Sequence, residues 1–183
     1  MITNKQSFSS NNKFVLVPVE LLKSLKELSN GTEYEDEIRK VLDSREAIEN
    51  HDVTKLPKTA VVKRVIDGDT VELFNGTVLR YVGITAPEEN EPFTEEATKL
   101  NQELVEGKEI KLEYDNYTSD KFGRILAYAV VDGKNVSFEL VRKGMAELVI
   151  YQKRKPFIHQ VQLLEAQEQA KKQKLGIWKT SQI

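Results

Sequence analysis

The chain has no cysteine, two histidines, one tryptophan and only five prolines in 183 residues. The missing thiols exclude a disulfide framework, a thiolate zinc site and a cysteine nucleophile, and they fit a reducing compartment. With only His51 and His159 present, two-histidine acid–base chemistry and histidine-rich metal cages are poorly served. No segment approaches the ~20 apolar residues of a membrane span. The most apolar early run, Phe14 to Val19, contains Pro18 and meets Glu20 at once, so a secretory apolar core does not fit there. The chain therefore reads as cytoplasmic, with no membrane partner. A large net charge is also absent: 27 Lys/Arg against 29 Asp/Glu leave −2, which argues against nucleic-acid binding by bulk charge alone.

What is present suits a soluble globular protein of one or two domains, with 39% apolar and 31% charged residues. Residues 1–57 read as a polar tail, a helical hairpin and a linker. Leu21, Leu22, Leu25 and Leu28 follow Pro18 at helical spacing. Asn30-Gly31 forms a turn, and Thr32 with Glu35 makes a capping-box pattern that opens a second helix bearing Tyr34, Ile38, Val41, Leu42 and Ile48. Such a hairpin has too little core to stand alone, so it packs on the rest of the chain, on a protein partner or in a homodimer. From residue 58 to 183 the pattern changes. β-Branched runs at Thr59–Ile66, Thr70–Phe74, Thr77–Val82, Glu109–Tyr114 and Arg124–Val131 read as strands, with Asn75-Gly76 a strong hairpin signal. Helices are expected over Glu91–Glu106, from Asn135 to Lys143 and over Phe157–Lys174, and Met145–Tyr151 as extended chain. Five short strands interleaved with helices make an α+β domain, a small β-barrel with helical attachments.

Four stretches of this second domain carry polar residues that folding alone does not require. Asp67-Gly68-Asp69 places two carboxylates around a glycine between strands, where they can aim oxygens at one hard cation; an ordinary Asp-Gly turn has the same sequence. Arg80 stands inside an apolar strand, so its guanidinium needs an anionic partner. Phosphate suits its planar fork, and a plain ion pair with Glu88 is the alternative. Glu88 follows Pro87 in a rigid turn that can hold a general base. Lys121, Phe122 and Arg124 flank a glycine turn and suit a phosphate with a stacked base, or else an exposed hairpin. From Glu147 to Lys179 seven Lys/Arg against three Asp/Glu form a basic tract. That tract either touches a nucleic-acid backbone or is the solvated face of a helix.

In combination the stretches 65–71 (VIDGDTV), 80–88 (RYVGITAPE), 120–128 (DKFGRILAY), 138–146 (FELVRKGMA) and 165–178 (EAQEQAKKQKLGIW) resemble, in order and spacing, the staphylococcal-type thermonucleases. The resemblance covers residues 59–178 and does not reach residues 1–57. It implies a five-stranded OB-fold β-barrel with three helices, and a calcium-dependent phosphodiesterase acting on DNA and RNA. By the same resemblance Glu88 matches the general base for an attacking water, and Arg80 and Arg124 the pair on the scissile phosphate. Asp69 matches a direct calcium ligand, Asp67 a nearby carboxylate, and Ala86 a ligand through its backbone carbonyl. Lys121 matches a lysine near the nucleotide phosphate. Phe122 stands where the family often has tyrosine, and Tyr151 falls about one residue from its base-stacking tyrosines.

The departures carry information too. Thr85 occupies the place of a second aspartate ligand, so a cation there loses one formal ligand charge and binds more weakly; other divalent ions are open as alternatives to Ca²⁺. The loop after Glu88 is short and acidic, and residues 58–183 are electrically neutral overall, which weakens steering of a polyanion. The expected function is a metal-dependent endonuclease acting on single-stranded or loosely paired nucleic acid. The competing expectation is a catalytically weakened OB-fold module for binding nucleic acid or protein.

Overall fold

A computed structural model describes residues 19–32, 35–36, 39, 42, 55–151 and 155–179. The leucine spacing near the N-terminus yields helix α1, Val19–Ser29, with Leu25 and Leu28 exposed. The Thr32–Glu35 pair acts differently from a capping box. The Thr32 hydroxyl donates back to the Ser29 carbonyl (2.6 Å), and the Glu35 carboxylate accepts the Gly31 N–H (2.7 Å). Both contacts therefore tie the second segment to the end of α1. Glu35, Asp36, Arg39 and Leu42 are helical, while the rest of the expected second helix lies outside the described residues. Of the described N-terminal residues, Leu56 at the end of the linker joins the main hydrophobic core, whereas Leu42 is buried outside it.

That core fills a barrel of β1 (Thr59–Val65), β2 (Thr70–Leu73), β3 (Val78–Tyr81), β5 (Glu109–Glu113) and β6 (Ile125–Val131). The strands run in the order β3-β2-β1-β5-β6, and a parallel β3–β6 pairing closes the ring. Closure removes the exposed sheet edges that an open five-stranded sheet would carry. Alternation fills the interior: Val62, Val71, Leu73, Leu79, Tyr81, Ile110, Ile125, Ala127 and Ala129 are all fully buried. Short strands β4 (Ile84–Thr85) and β8 (Glu147–Leu148) form a separate two-stranded ribbon, so only two residues of the expected extended segment 145–151 are strand. A further short strand, β7 (Lys134–Asn135), folds back antiparallel on the end of β6.

Helix α2 (Thr94–Val105) begins three residues later than its apolar spacing suggests, because Phe93 at its start adopts φ +71. Helix α3 (Val136–Arg142) starts as its sequence predicts, with the Asn135 side chain accepting the Ser137 and Phe138 N–H groups. Helix α4 (Gln160–Lys172) and a 3₁₀ turn (Gly176–Lys179) are the last elements among the described residues. Buried Ala97, Val105, Leu140, Val141 and Leu163 seat all three helices on the barrel core. Among the described residues, no helix is long and apolar enough to cross a membrane.

Candidate active site

Barrel closure is what brings the two arginines together. In the parallel β3–β6 pair, Leu79 faces Ile125 and Arg80 faces Leu126. Leu79, Tyr81, Ile125 and Ala127 point into the core. Strand alternation then sends Arg80, Arg124 and Leu126 to the same outer face. That face is one wall of a cleft of about 550 Å³, also lined by Lys121, Phe122, Tyr151, Lys155 and Phe157. The opposite wall comes from the segment leading into α4. Two contacts pin this segment to β5 and the residues after it: the Ile158 N–H donates to Asp115 Oδ2 (2.7 Å), and His159 Nε2 meets Glu113 Oε2 (2.9 Å). Phe157 lies against Gly83, whose φ is +75 and where any Cβ would come within 2.8 Å of the ring. Glycine is required there on both counts.

Each arginine is held by a carboxylate. Arg124 donates Nε to Asp120 Oδ2 at 2.7 Å, with Nη2 also at 2.7 Å. Asp120 further accepts the Phe122 and Arg124 N–H groups at 2.9 and 3.1 Å, so one side chain shapes the whole turn. The exposed Phe122 ring has Lys121 Nζ at 5.0 Å and Arg124 Cζ at 5.4 Å from its centroid, both within cation–π range. Arg80 does not pair with Glu88 as one reading of the sequence allows. Its acidic partner is Asp69, at 3.2 Å, and its Nη1 donates to the Ile84 carbonyl at 2.9 Å. Its Nη2 also reaches the Thr85 hydroxyl at 3.4 Å.

Asp69 is buried at the start of β2, where its Oδ1 accepts the Thr70 hydroxyl (2.8 Å) and its Oδ2 the Ala86 N–H (2.9 Å). Asp67 accepts the Asp69 N–H at 2.9 Å. Burial, and secondarily the neighbouring Asp69 charge, push the Asp67 carboxyl up from 3.8 to about 6. Asp67, Asp69 and the Thr85 hydroxyl are oxygen donors gathered around the Arg80 guanidinium and the Asp69 turn. Their chemistry suits calcium or magnesium rather than a thiophilic metal. The cost of ionising the crowded carboxylate pair is also what a cation would relieve. The ligand charge is low, however: among the described residues no group of three acidic, histidine or cysteine side chains is placed to hold a metal.

Glu88 does not line the arginine cleft. It is exposed on an adjacent depression shared with Thr85, Ala86, Pro87, Glu91 and Glu147. Its main chain is fixed there, its N–H donating to Glu91 Oε2 (2.8 Å) and its carbonyl accepting the Thr94 hydroxyl. Thr85, whose hydroxyl accepts from Arg80 Nη2, lines this second depression. Sequence reasoning singles out Lys121, Phe122, Arg124 and Tyr151 and misses Asp120, Lys155 and Phe157 as part of the same cleft. For Asp120 a signal exists, because an aspartate four residues before Arg124 across a glycine turn is placed to bind both. Of the C-terminal basic tract, Lys155 reaches the cleft, whereas Lys171 is engaged by Glu168 and the Trp178 ring. Residues 152–154 lie outside the described residues.

In this closed OB-type barrel Arg80 of β3 and Arg124, the residue before β6, open on one cleft, each ion-paired with an aspartate. The chain belongs to the family described as Staphylococcal nuclease homologue, which it matches over residues 78–180. That span holds every candidate site residue except Asp67 and Asp69. Among individual proteins, the chain is 39% identical over 129 residues to Endonuclease YncB of Bacillus subtilis (strain 168), covering 64% of this chain and 60% of that protein. It is 38% identical over 126 residues to the SPbeta prophage-derived endonuclease YokF of the same organism, covering 63% and 42%. It is 32% identical over 130 residues to the Thermonuclease of Staphylococcus hyicus, covering 66% and 76%. The match therefore spans less than two thirds of the length of either Bacillus relative.

Proposed function

We propose that this chain is a metal-dependent endonuclease, using calcium, that hydrolyses phosphodiester bonds in single-stranded or loosely paired DNA and RNA. The observation that carries the reading is the convergence of Arg80 and Arg124 on one aromatic-lined cleft, in a member of this family whose relatives bear endonuclease names. Two guanidinium groups aimed at one phosphoryl group stabilise the negative charge that grows as phosphorus becomes five-coordinate. Asp120 holds Arg124 along its Nε–Nη2 edge, so the opposite edge is the one presented to phosphate. Phe122 and Tyr151 offer faces for bases, and Lys121 and Lys155 offer charge to flanking phosphates. With the scissile phosphate at the Arg80 end of the cleft, Glu88, on the neighbouring depression, is assigned the role of general base. It takes a proton from water; the water oxygen forms a new bond to phosphorus, and the opposite ester bond breaks with its electron pair leaving on oxygen. Calcium bound by Asp69, Asp67, Thr85 and the Ala86 carbonyl would supply Lewis-acid polarisation of the phosphoryl oxygen.

Digestion of single-stranded DNA and RNA by the parent and by Glu88→Gln, each with calcium and with chelator, tests this. Cleavage that needs calcium and falls by orders of magnitude in Glu88→Gln is expected; equal cleavage by the two proteins would remove Glu88 from its role. The low ligand charge around Asp69 favours one second reading, a barrel that binds a single strand without turnover. Tight binding with no cleavage across divalent ions would establish that reading instead.

A further inference from the structure

Helix α2 buries a residue that its position does not call for. Asn101 is fully buried, one turn from Ala97 and one from Val105, where the other inward residues are apolar. Its side chain links two parts of the site that chain connectivity leaves apart. The Asn101 amide nitrogen donates to the Asp67 carbonyl at 2.9 Å, and its Oδ1 accepts the Tyr81 hydroxyl at 2.8 Å. The amide orientation is not arbitrary, because a backbone carbonyl only accepts. Tyr81 is itself fully buried and follows Arg80 in β3.

The acid turn is restrained from three sides. Its first carbonyl is held by Asn101. Its last, that of Asp69, accepts the Tyr81 N–H at 2.9 Å. Between them, a Cβ on Gly68 would come within 2.5 Å of Ala86 Cβ and 2.9 Å of Ala97 Cβ. Two carboxylates two residues apart repel each other, and an unrestrained turn relieves that by splaying. Filling space at positions 81 and 101 needs only apolar side chains, which carry no desolvation cost. A buried, mutually bonded polar pair at these positions instead fixes geometry.

We infer that Tyr81 and Asn101 form a positioning strut that holds the Asp67–Asp69 carboxylates at a fixed distance from Arg80, so that cation and phosphate are bound side by side. Neither residue touches the ligand; both act through the turn. The inference rests on the metal-dependent reading above and adds two residues from the barrel interior to the site.

The test compares the parent with the double variant Tyr81→Phe/Asn101→Leu, which replaces the polar pair with an apolar one, and with Tyr81→Phe alone. Three quantities are read: calcium affinity by titration calorimetry, hydrogen exchange of the Ala86 N–H in calcium-free protein, and kcat and KM on a single-stranded DNA oligonucleotide. In the double variant calcium binding is expected to weaken by roughly 10–100-fold, the usual effect of losing an outer-shell partner. The Ala86 N–H, bonded to Asp69, should exchange faster, and kcat should fall with KM little changed. Tyr81→Phe alone keeps the Asn101–Asp67 bond but leaves Asn101 Oδ1 without its donor, so its calcium affinity should fall between those of the parent and the double variant; a parental value removes Tyr81 from the strut. A double variant with parental calcium affinity and Ala86 protection overturns the inference. If that variant does not fold, Asn101→Ala takes its place: the same three readouts are measured, and parental values overturn the inference in the same way. A parent that neither binds calcium nor cleaves overturns the metal-dependent reading and the strut with it; a parent that does both, beside a parent-like variant, overturns the strut alone.

Discussion

The carboxyl group of Asp67 is costly to ionise, and replacing it with a neutral group of the same shape measures that cost. In Asp67→Asn the side-chain oxygen can still accept the Asp69 N–H, now 2.9 Å from Asp67 Oδ1, so the turn keeps its hydrogen bond. In the folded protein the carboxyl titrates near 6 rather than 3.8, through burial first and the Asp69 charge second. Below about pH 4 the group is protonated in both folded and unfolded chains and contributes nothing. Between about pH 4 and 6 the unfolded chain is ionised while the folded one holds its proton, so stability falls as pH rises. Above about pH 6 the full penalty applies, about 2–3 kcal/mol for a shift of this size. Urea unfolding in metal-free buffer at pH 4, 5, 6 and 7.5 should therefore find Asp67→Asn level with the parent at pH 4 and about 2–3 kcal/mol more stable at pH 7.5. Calcium should stabilise the parent and do so far less in the variant, because a bound ligand stabilises only the state that binds it. A variant no more stable than the parent at pH 7.5, or one whose gain is the same at pH 4, would refute the claim that these carboxylates are crowded. A gain in stability with a loss of cleavage would mark Asp67 as kept for function at the expense of the fold.

Three further outcomes follow from the geometry. Thr85→Asp adds a carboxylate next to the Asp69 pair and should tighten calcium binding by roughly tenfold or more while raising cleavage at low calcium; titration calorimetry with no change in affinity would count against Thr85 as a ligand position. Arg124→Lys keeps the charge but loses the planar fork held by Asp120 at 2.7 Å, and should lower kcat by roughly 10²–10³-fold, with nucleotide binding affected less; single-turnover kinetics would separate the two. Gly68→Ala forces a methyl group to 2.5 Å from Ala86 Cβ, and should cost about 1–3 kcal/mol in urea unfolding, since the atoms it meets belong to packed alanines that have no rotamer to yield.

Much of the barrel is legible in the sequence because its signals are local. β-Branched alternation marks β1, β2, β3, β5 and β6 to within a residue or two, and Asn135 announces the start of α3. The start of α2 is not legible, because Phe93 adopts a left-handed backbone that nothing in its residue type suggests. Thr32 misleads for a related reason: a capping-box pattern specifies residues three apart, but which N–H the glutamate captures depends on where the preceding helix ends. At the site, Arg80 in an apolar strand demands an anion, and the structure supplies Asp69. Asn101 gives no signal, because a polar residue on a helix is ordinary until its burial is known.

By itself the sequence determined the chemistry on offer: oxygen ligands without thiols, guanidinium groups without a histidine pair, and strands enough for a small barrel. Only the tertiary structure decided which of these groups meet. Arg80 and Arg124 are more than forty positions apart, and they share a cleft because β3 and β6 pair in parallel, a register set by barrel closure rather than by any local residue pattern. Glu88, eight positions from Arg80, opens on the neighbouring depression instead. Strand alternation and ring closure act over the whole domain, so nearness along the chain was no guide to nearness in the site.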